Sequence, residues 1–137
     1  MKRKKTCSNS NLLKIGISLD DTITASLESL SFFILLTESL KERAEIYIIT
    51  DRDKTQASFN KTVEELESLG IYYDVLLLTS EKKGEVIRNE ITVFFDDTDD
   101  YILQFPKDVA VFKIREDGNF NFRKQKWVGT KETVEIV

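Results

Sequence analysis

The sequence alternates between short apolar runs and longer segments with helical periodicity. This alternation is typical of βαβ units, in which each strand is followed by a helix that crosses back over a mostly parallel sheet. Strands covered by helices on both faces are expected to be short and almost wholly apolar. The pattern therefore predicts an α/β fold, a three-layer α/β/α sandwich with a Rossmann-like, parallel five-stranded sheet and the first strand at its centre. The predicted strands are Leu13–Leu19, Glu45–Thr50, Tyr73–Leu78, Ile91–Phe95 and Val109–Ile114.

Four segments between these strands are predicted to be helical. The clearest is Lys54–Leu69, in which Phe59, Val63 and Leu66 recur on one face and Gly70 follows as a C-terminal cap. The other predicted segments are Ala25–Arg43, a short helix near Glu85–Asn89 and a turn near Asp99–Phe105.

The two ends of the chain differ in composition from its middle. Residues 1–11 contain the basic run Lys2–Lys5 followed by polar residues, which predicts a disordered basic tail and not a secretory signal. Near the other end, Glu116–Asn119 has the composition of a turn. It lies between Val111–Arg115 and Phe120–Arg123, so we predict a hairpin at the edge of the sheet. Residues 12–137 are thus predicted to form a single domain.

Composition excludes several classes of chemistry. The 137 residues include no histidine and one cysteine, Cys7, which excludes Ser-His-Asp catalysis, imidazole metal ligands and a disulfide within these residues. The net charge of −4 makes broad binding to nucleic acid an unlikely function. The longest apolar run, Phe32–Leu36, is far shorter than the roughly 20 residues that cross a bilayer, so no membrane association and a cytoplasmic location are expected.

Polar residues follow four of the predicted strands at their carboxyl ends, where ligands bind in open α/β sheets. Each group alone has a simpler explanation, because Asp and Thr after a strand commonly cap the next helix and paired lysines are usually solvated. An Asp-Asp pair is less easily explained, since adjacent carboxylates repel unless a cation lies between them. These residues are Ser18, Asp20 and Thr22 at and just after the end of the first strand, Thr50 and Arg52 at and just after the end of the second, Lys82 and Lys83 after the third, and Asp96 and Asp97 after the fourth.

Taken in order, these groups resemble the four motifs of the haloacid-dehalogenase-like (HAD) phosphatase superfamily. The first motif, Asp-x-Asp-x-Thr after an apolar strand, is matched by Ser18–Thr22 except that serine replaces the first aspartate. Thr50 matches the second motif, and Lys83 or its neighbour Lys82 matches the third. The fourth, an acidic pair that ends a strand, is matched by Asp96–Asp97. The resemblance covers most of the chain and implies that residues 12–137 form a HAD-like domain.

The resemblance implies a catalytic role for four residues. In the family, the first aspartate attacks phosphorus, and Ser18 occupies that position here. Asp20 would be the general acid and base that serves the leaving group and the attacking water. Thr50 and Lys83, or Lys82 in its place, would bind the phosphoryl oxygens.

The resemblance also implies a magnesium ion. Asp97 would be its main carboxylate ligand, Asp96 would support it, and Asp20 would offer a backbone carbonyl. Ser18 supplies a neutral oxygen where the family has a carboxylate, and magnesium gives up its waters reluctantly. We therefore expect magnesium binding to be weak or absent.

Ser18 leaves the function open. A serine without an adjacent base is a weak nucleophile, and a phosphoserine is a far poorer leaving group than an acylphosphate. The first hypothesis is a binding or regulatory protein without normal hydrolase activity. The second is a small magnesium-dependent phosphohydrolase with low activity on nucleotides or other phosphate esters. A structural interaction module is the third.

The spacing of the motifs leaves no room for a cap domain. One helix separates the first motif from the second strand, and one helix and one strand fill the stretch from Thr50 to Lys83. A domain without a cap has an open cleft, so its phosphate-containing ligand would be large or a protein partner would cover it. Arg52, just after the second motif, is placed to meet an anionic group, although arginine at a strand end is more often a surface residue. The sequence does not predict the oligomeric state.

Overall fold

The computed structural model describes residues 12–114 and 120–127. Within them lies a five-stranded, all-parallel sheet with the strand order β3-β2-β1-β4-β5. The predicted α/β, Rossmann-like fold is confirmed, and the first strand is central as expected. The strands are β1 Leu13–Ile17, β2 Ala44–Thr50, β3 Val75–Leu78, β4 Val93–Asp96 and β5 Ala110–Lys113.

Four helices connect these strands. Side-chain caps set the start of the two long ones, because the hydroxyls of Ser26 and Thr55 accept hydrogen bonds from the backbone three residues later. Gly70 ends the second of them in the left-handed conformation (φ 78°), as the sequence predicted. The helices are α1 Leu27–Leu40, α2 Gln56–Leu69, α3 Lys82–Arg88 and α4 Asp99–Ile102.

Helices cover both faces of the sheet. On one face, Ile48 of β2 belongs to a buried cluster with Phe33 of α1 and Leu66 of α2. On the other face, Ile49 belongs to a second cluster with Val86 of α3. Because neighbouring residues of β2 point to opposite sides and both faces are covered, the whole strand is buried, including its polar residues Glu45 and Thr50. These are the three layers of the predicted sandwich.

The C-terminal hairpin is formed by strands other than the predicted ones. Strand β6, Phe120–Asn121, pairs in antiparallel fashion with β7, Lys126–Trp127, whereas β5 pairs with β4. The prediction that Val111–Arg115 pairs with Phe120–Arg123 is therefore wrong. A turn closer in sequence replaces it, in which the Asn121 side chain accepts a hydrogen bond from the backbone of Lys124 (3.0 Å).

Two further predictions fall on segments that are not described. The predicted basic tail, residues 1–11, lies outside the described residues, and so does the whole of the predicted turn at Glu116–Asn119. None of the helices in the described part of the chain has the length and apolar character needed to span a bilayer.

Candidate functional site

The chain turns sharply immediately after β1. The backbone N–H of Ser18 donates to the carbonyl of Phe95 (3.0 Å), so the serine lies beside the end of β4. The next residues form a tight loop, Leu19–Ile23, in which Asp20 is extended and Asp21 is left-handed (φ 58°). The first strand is therefore shorter than predicted, and Leu19 enters the core as part of the loop.

Lys82 lies at the centre of the site. Its ammonium group donates to the Ser18 hydroxyl (3.1 Å) and to Oδ2 of Asp96 (3.3 Å), and it lies 4.2 Å from the centroid of the Tyr101 ring. Lys82 is 3% exposed and Asp96 is fully buried. A buried charge is tolerated when it is paired and hydrogen-bonded. The ammonium has three hydrogens to donate, and it is surrounded by the hydroxyl, the carboxylate and the aromatic ring.

Lys83 does not take part in this arrangement. The resemblance to the third motif favoured Lys83, but the structure places its side chain on the exposed surface of α3 and brings Lys82 to the site instead. Helix α3 begins at Lys82, and consecutive side chains of a helix point in different directions, so the two lysines cannot both face inward. The choice between them depends on where the helix begins.

The two aspartates after β4 point to different partners. Both oxygens of Asp96 are engaged: Oδ2 accepts from Lys82, and Oδ1 accepts from the backbone N–H groups of Asp97 (2.7 Å) and Thr98 (3.4 Å). Oδ1 of Asp97 accepts from the Thr22 hydroxyl (3.3 Å). Separate donors therefore offset the repulsion expected of adjacent carboxylates.

Asp20 is held by an arginine from outside the cavity. Arg52 binds both of its oxygens, through Nε (2.9 Å) and Nη2 (2.8 Å), while Nη1 reaches Glu65 (2.8 Å) and Thr62 (3.1 Å) of α2. The hydrogen bonds to Asp20 are the main reason that the pKa of Arg52 is raised above its ordinary value, although burial opposes the rise. The anionic groups that Arg52 meets are thus carboxylates of its own chain.

A cavity of about 260 Å³ lies at this edge of the sheet. It brings together four residues that the sequence analysis considered, Ser18, Asp20, Lys82 and Asp97. Thr50 is buried at the end of β2 and is not one of the residues that line the cavity. The lining residues are Ser18, Asp20, Asp21, Asp51, Lys82, Asp97, Thr98 and Tyr101.

Sequence reasoning assigned no role to four of these lining residues, and two of the four, Asp51 and Tyr101, are hydrogen-bonded to each other. The phenol of Tyr101 donates to Oδ2 of Asp51 (2.6 Å). This hydrogen bond is the main cause of the raised pKa of Tyr101, and burial adds to it. Asp51 follows the second motif directly, but neither its side-chain direction nor the contribution of Tyr101 is visible in the periodicity of the sequence.

The two carboxylates that the resemblance assigns to magnesium do not fit a magnesium site in this arrangement. Magnesium prefers carboxylate oxygens, yet both oxygens of Asp96 accept hydrogen bonds, and Oδ1 of Asp97 accepts one from Thr22. No group of three or more acidic or cysteine side chains in residues 12–114 and 120–127 is arranged to hold a metal ion. The expectation of weak magnesium binding stays a prediction.

Comparison with known proteins gives no match to a family model, to a curated protein or to a solved structure. The candidate site is therefore defined by its geometry and by the spacing of its motifs.

Proposed function

We propose that this chain is a HAD-like binding or regulatory protein that does not carry out the family's hydrolysis. The contact between Ser18 and Lys82 is the observation that supports the proposal. At the position of the nucleophile stands a neutral hydroxyl whose oxygen accepts a hydrogen bond from an ammonium group. To attack phosphorus, that hydroxyl must lose its proton to a base.

The neighbour of Ser18 is unsuited to serve as that base. Lys82 takes part in the ion pair with Asp96 as an ammonium, which has no lone pair with which to accept a proton. Should the hydroxyl be phosphorylated nonetheless, the product is a stable phosphate ester and not a labile acylphosphate. Both steps of the family's hydrolysis are therefore disfavoured here: the attack on phosphorus and the later hydrolysis of the phosphorylated intermediate.

The charges of the cavity indicate what kind of ligand to expect. Four carboxylates and one ammonium line it, so free inorganic phosphate meets net repulsion. A phosphate-containing ligand would need further contacts at the open mouth, and a larger molecule can supply them. A protein partner that covers the mouth is the alternative.

A low-activity, magnesium-dependent phosphohydrolase is the second candidate. It is favoured by the presence of Asp20, Lys82 and Asp97 around one cavity together with Ser18. This candidate needs magnesium, whereas calorimetric titration with magnesium at low millimolar concentration is expected to give little heat of binding.

Restoring the nucleophile tests the proposal. We expect no magnesium-dependent hydrolysis of an aryl phosphate by the native chain and at least about a 100-fold gain from Ser18→Asp, since loss of a nucleophile costs a cooperating site many orders of magnitude in rate. Ser18→Asn is the matched control, because asparagine has the shape of aspartate without its nucleophilic carboxylate. Adding Asp20→Asn to Ser18→Asp should remove most of the gain.

Two results would contradict this account. Clear magnesium-dependent turnover by the native chain would favour the phosphohydrolase. Equal rates for Ser18→Asp and Ser18→Asn would leave the resemblance as a statement about fold alone.

A further inference from the structure

We infer that Tyr101 is a gate residue that determines which molecules reach Ser18, with Asp51 as the group that holds it closed. The inference goes beyond the proposed function. Only the biological role of the gate, and not its existence, rests on that function. It concerns physical access to the floor of the cavity, which is formed by Ser18 and Lys82.

The strand order places Tyr101 across the cavity. Tyr101 belongs to α4, which follows β4, and Asp51 follows β2. These two strands flank β1 on opposite sides, and Ser18 comes directly after β1. The hydrogen bond between Tyr101 and Asp51 therefore joins the two neighbours of the strand that carries Ser18, and it spans the edge of the sheet above that residue.

The burial of the floor agrees with such a cover. Ser18 is 4% exposed and Lys82 is 3% exposed, although both line a cavity of about 260 Å³ at the edge of the sheet. The centroid of the Tyr101 ring lies 4.2 Å from the Lys82 ammonium, and both side chains line the cavity. A group larger than the remaining space must displace the ring before it reaches Ser18.

The closing contact is suited to a gate because it can break at modest cost. Asp51 is exposed, so water replaces the phenol as its partner when the ring moves. A hydrogen bond to a carboxylate shifts an equilibrium by roughly tenfold to a hundredfold, and the exposure of Asp51 places this one toward the lower end of that range. The ring thus closes the cavity without sealing it. In a domain for which the motif spacing leaves no room for a cap, Tyr101 supplies part of a cap's function from within the fold.

Cysteine alkylation measures this access without any ligand. Ser18→Cys is introduced together with Cys7→Ser, so that position 18 carries the only thiol. The thiolate sulfur displaces iodide from iodoacetamide to form a carbon–sulfur bond, while the thiol proton goes to solvent. A bulky maleimide provides a second, larger reagent. The pH dependence of each rate separates access from the fraction of thiolate.

Three tyrosine variants give the decisive comparison. Tyr101→Phe removes the bond to Asp51 but keeps the ring, and we expect it to raise the alkylation rate at least about tenfold. Tyr101→Ala removes the ring as well, so the maleimide rate should rise more than the iodoacetamide rate. Tyr73→Phe, a tyrosine outside the cavity, should change neither rate.

The outcomes separate this inference from the proposed function. Unchanged rates for both Tyr101 variants would overturn the gate, and so would a rise of the same factor for both reagents in Tyr101→Ala. Thermal melting shows whether the alanine variant is folded; if it is not, the phenylalanine variant decides by its rate alone. Alkylation needs neither hydrolysis nor a ligand, so phosphatase activity in the native chain would overturn the proposed function and leave the gate intact.

Discussion

Among single residues, Lys82 and Asp96 form a buried ion pair at the centre of the site. Each is almost wholly buried, and each depends on the other for its charge partner. Such a pair contributes little net stability compared with apolar side chains, but the loss of one partner leaves an uncompensated charge in the interior. Its main effect is therefore on the position of its neighbours, because Lys82 also holds the hydroxyl of Ser18.

The two adjacent lysines provide a direct test of this difference. Lys82→Met should lower the free energy of unfolding by about 3 kcal/mol, because Asp96 then lacks its cation. Lys83→Met, on the exposed side of the same helix, should change it by less than about 0.5 kcal/mol. Urea denaturation measures both. If the two variants are equally stable, the inward position of Lys82 is wrong.

Combining Lys82→Met with Asp96→Asn adds a check on the cause. Asparagine removes the buried charge, so the double variant should be more stable than Lys82→Met alone. A further loss of stability in the double variant would instead mean that packing, and not charge, explains the effect.

Between elements, the Arg52 side chain links the loop after β1 to helix α2. It connects Asp20, in the loop after β1, to Thr62 and Glu65 of α2. The two-pronged guanidinium matches both oxygens of a carboxylate, which the single ammonium of lysine cannot do. The loop that carries Asp20 is thus anchored to a helix by a side chain and not by backbone pairing.

Removing this anchor should loosen the loop more than it destabilises the domain. Asp20 is 44% exposed, so solvent weakens the pair, and we expect Arg52→Met to cost about 1 kcal/mol. Hydrogen–deuterium exchange should rise in Leu19–Ile23 and stay unchanged in β2. Arg88→Met, which removes an exposed pair with Glu85, is the control. Unaltered exchange in the loop would show that Arg52 does not anchor it.

At the scale of the whole molecule, the order of the strands assembles the site. Strand β1 lies between β2 and β4, so residues after three adjacent strands meet at one edge of the sheet. Lys82 joins them because α3 begins with this residue at the same edge of the sheet. The helix then packs on one face of the sheet through Val86. The same arrangement buries Tyr47 and partly buries Tyr73 and Tyr101, so the stability of the fold should depend on pH in the alkaline range.

The domain should lose stability above about pH 10, the pKa of an unperturbed tyrosine. The pKa of Tyr47 is raised by burial and then by its hydrogen bond to Glu45, and the pKa of Tyr101 is raised chiefly by Asp51. Burial also raises the pKa of Tyr73. As pH rises past 10, the unfolded chain releases phenolic protons that the folded chain retains, so unfolding becomes more favourable.

Ultraviolet absorbance of tyrosinate tests this linkage. At about pH 11 the folded chain should show much less tyrosinate than the same chain unfolded in urea. The urea concentration at the midpoint of unfolding should decrease when the pH is raised from about 9 to about 11. Tyr47→Phe should reduce that fall. Equal tyrosinate signals in the folded and unfolded chains would contradict the prediction.

The sequence by itself determined the elements. The five strands, the four helical segments and the Gly70 cap follow from apolar spacing and capping residues, which act over a few neighbouring positions. The same local signals placed Ser18, Asp20 and Asp97 at the carboxyl ends of strands, and the resemblance predicted that these ends meet.

Only the tertiary structure decided the contacts of the site. The hydrogen bond between Lys82 and Ser18 joins residues 64 positions apart, and the one between Tyr101 and Asp51 spans 50 positions. Such contacts depend on strand order and on the direction of each side chain after the helices have packed, and no local pattern encodes these. The same holds for the two lysines. The start of helix α3 and its packing against the sheet determine that Lys82, and not Lys83, is buried.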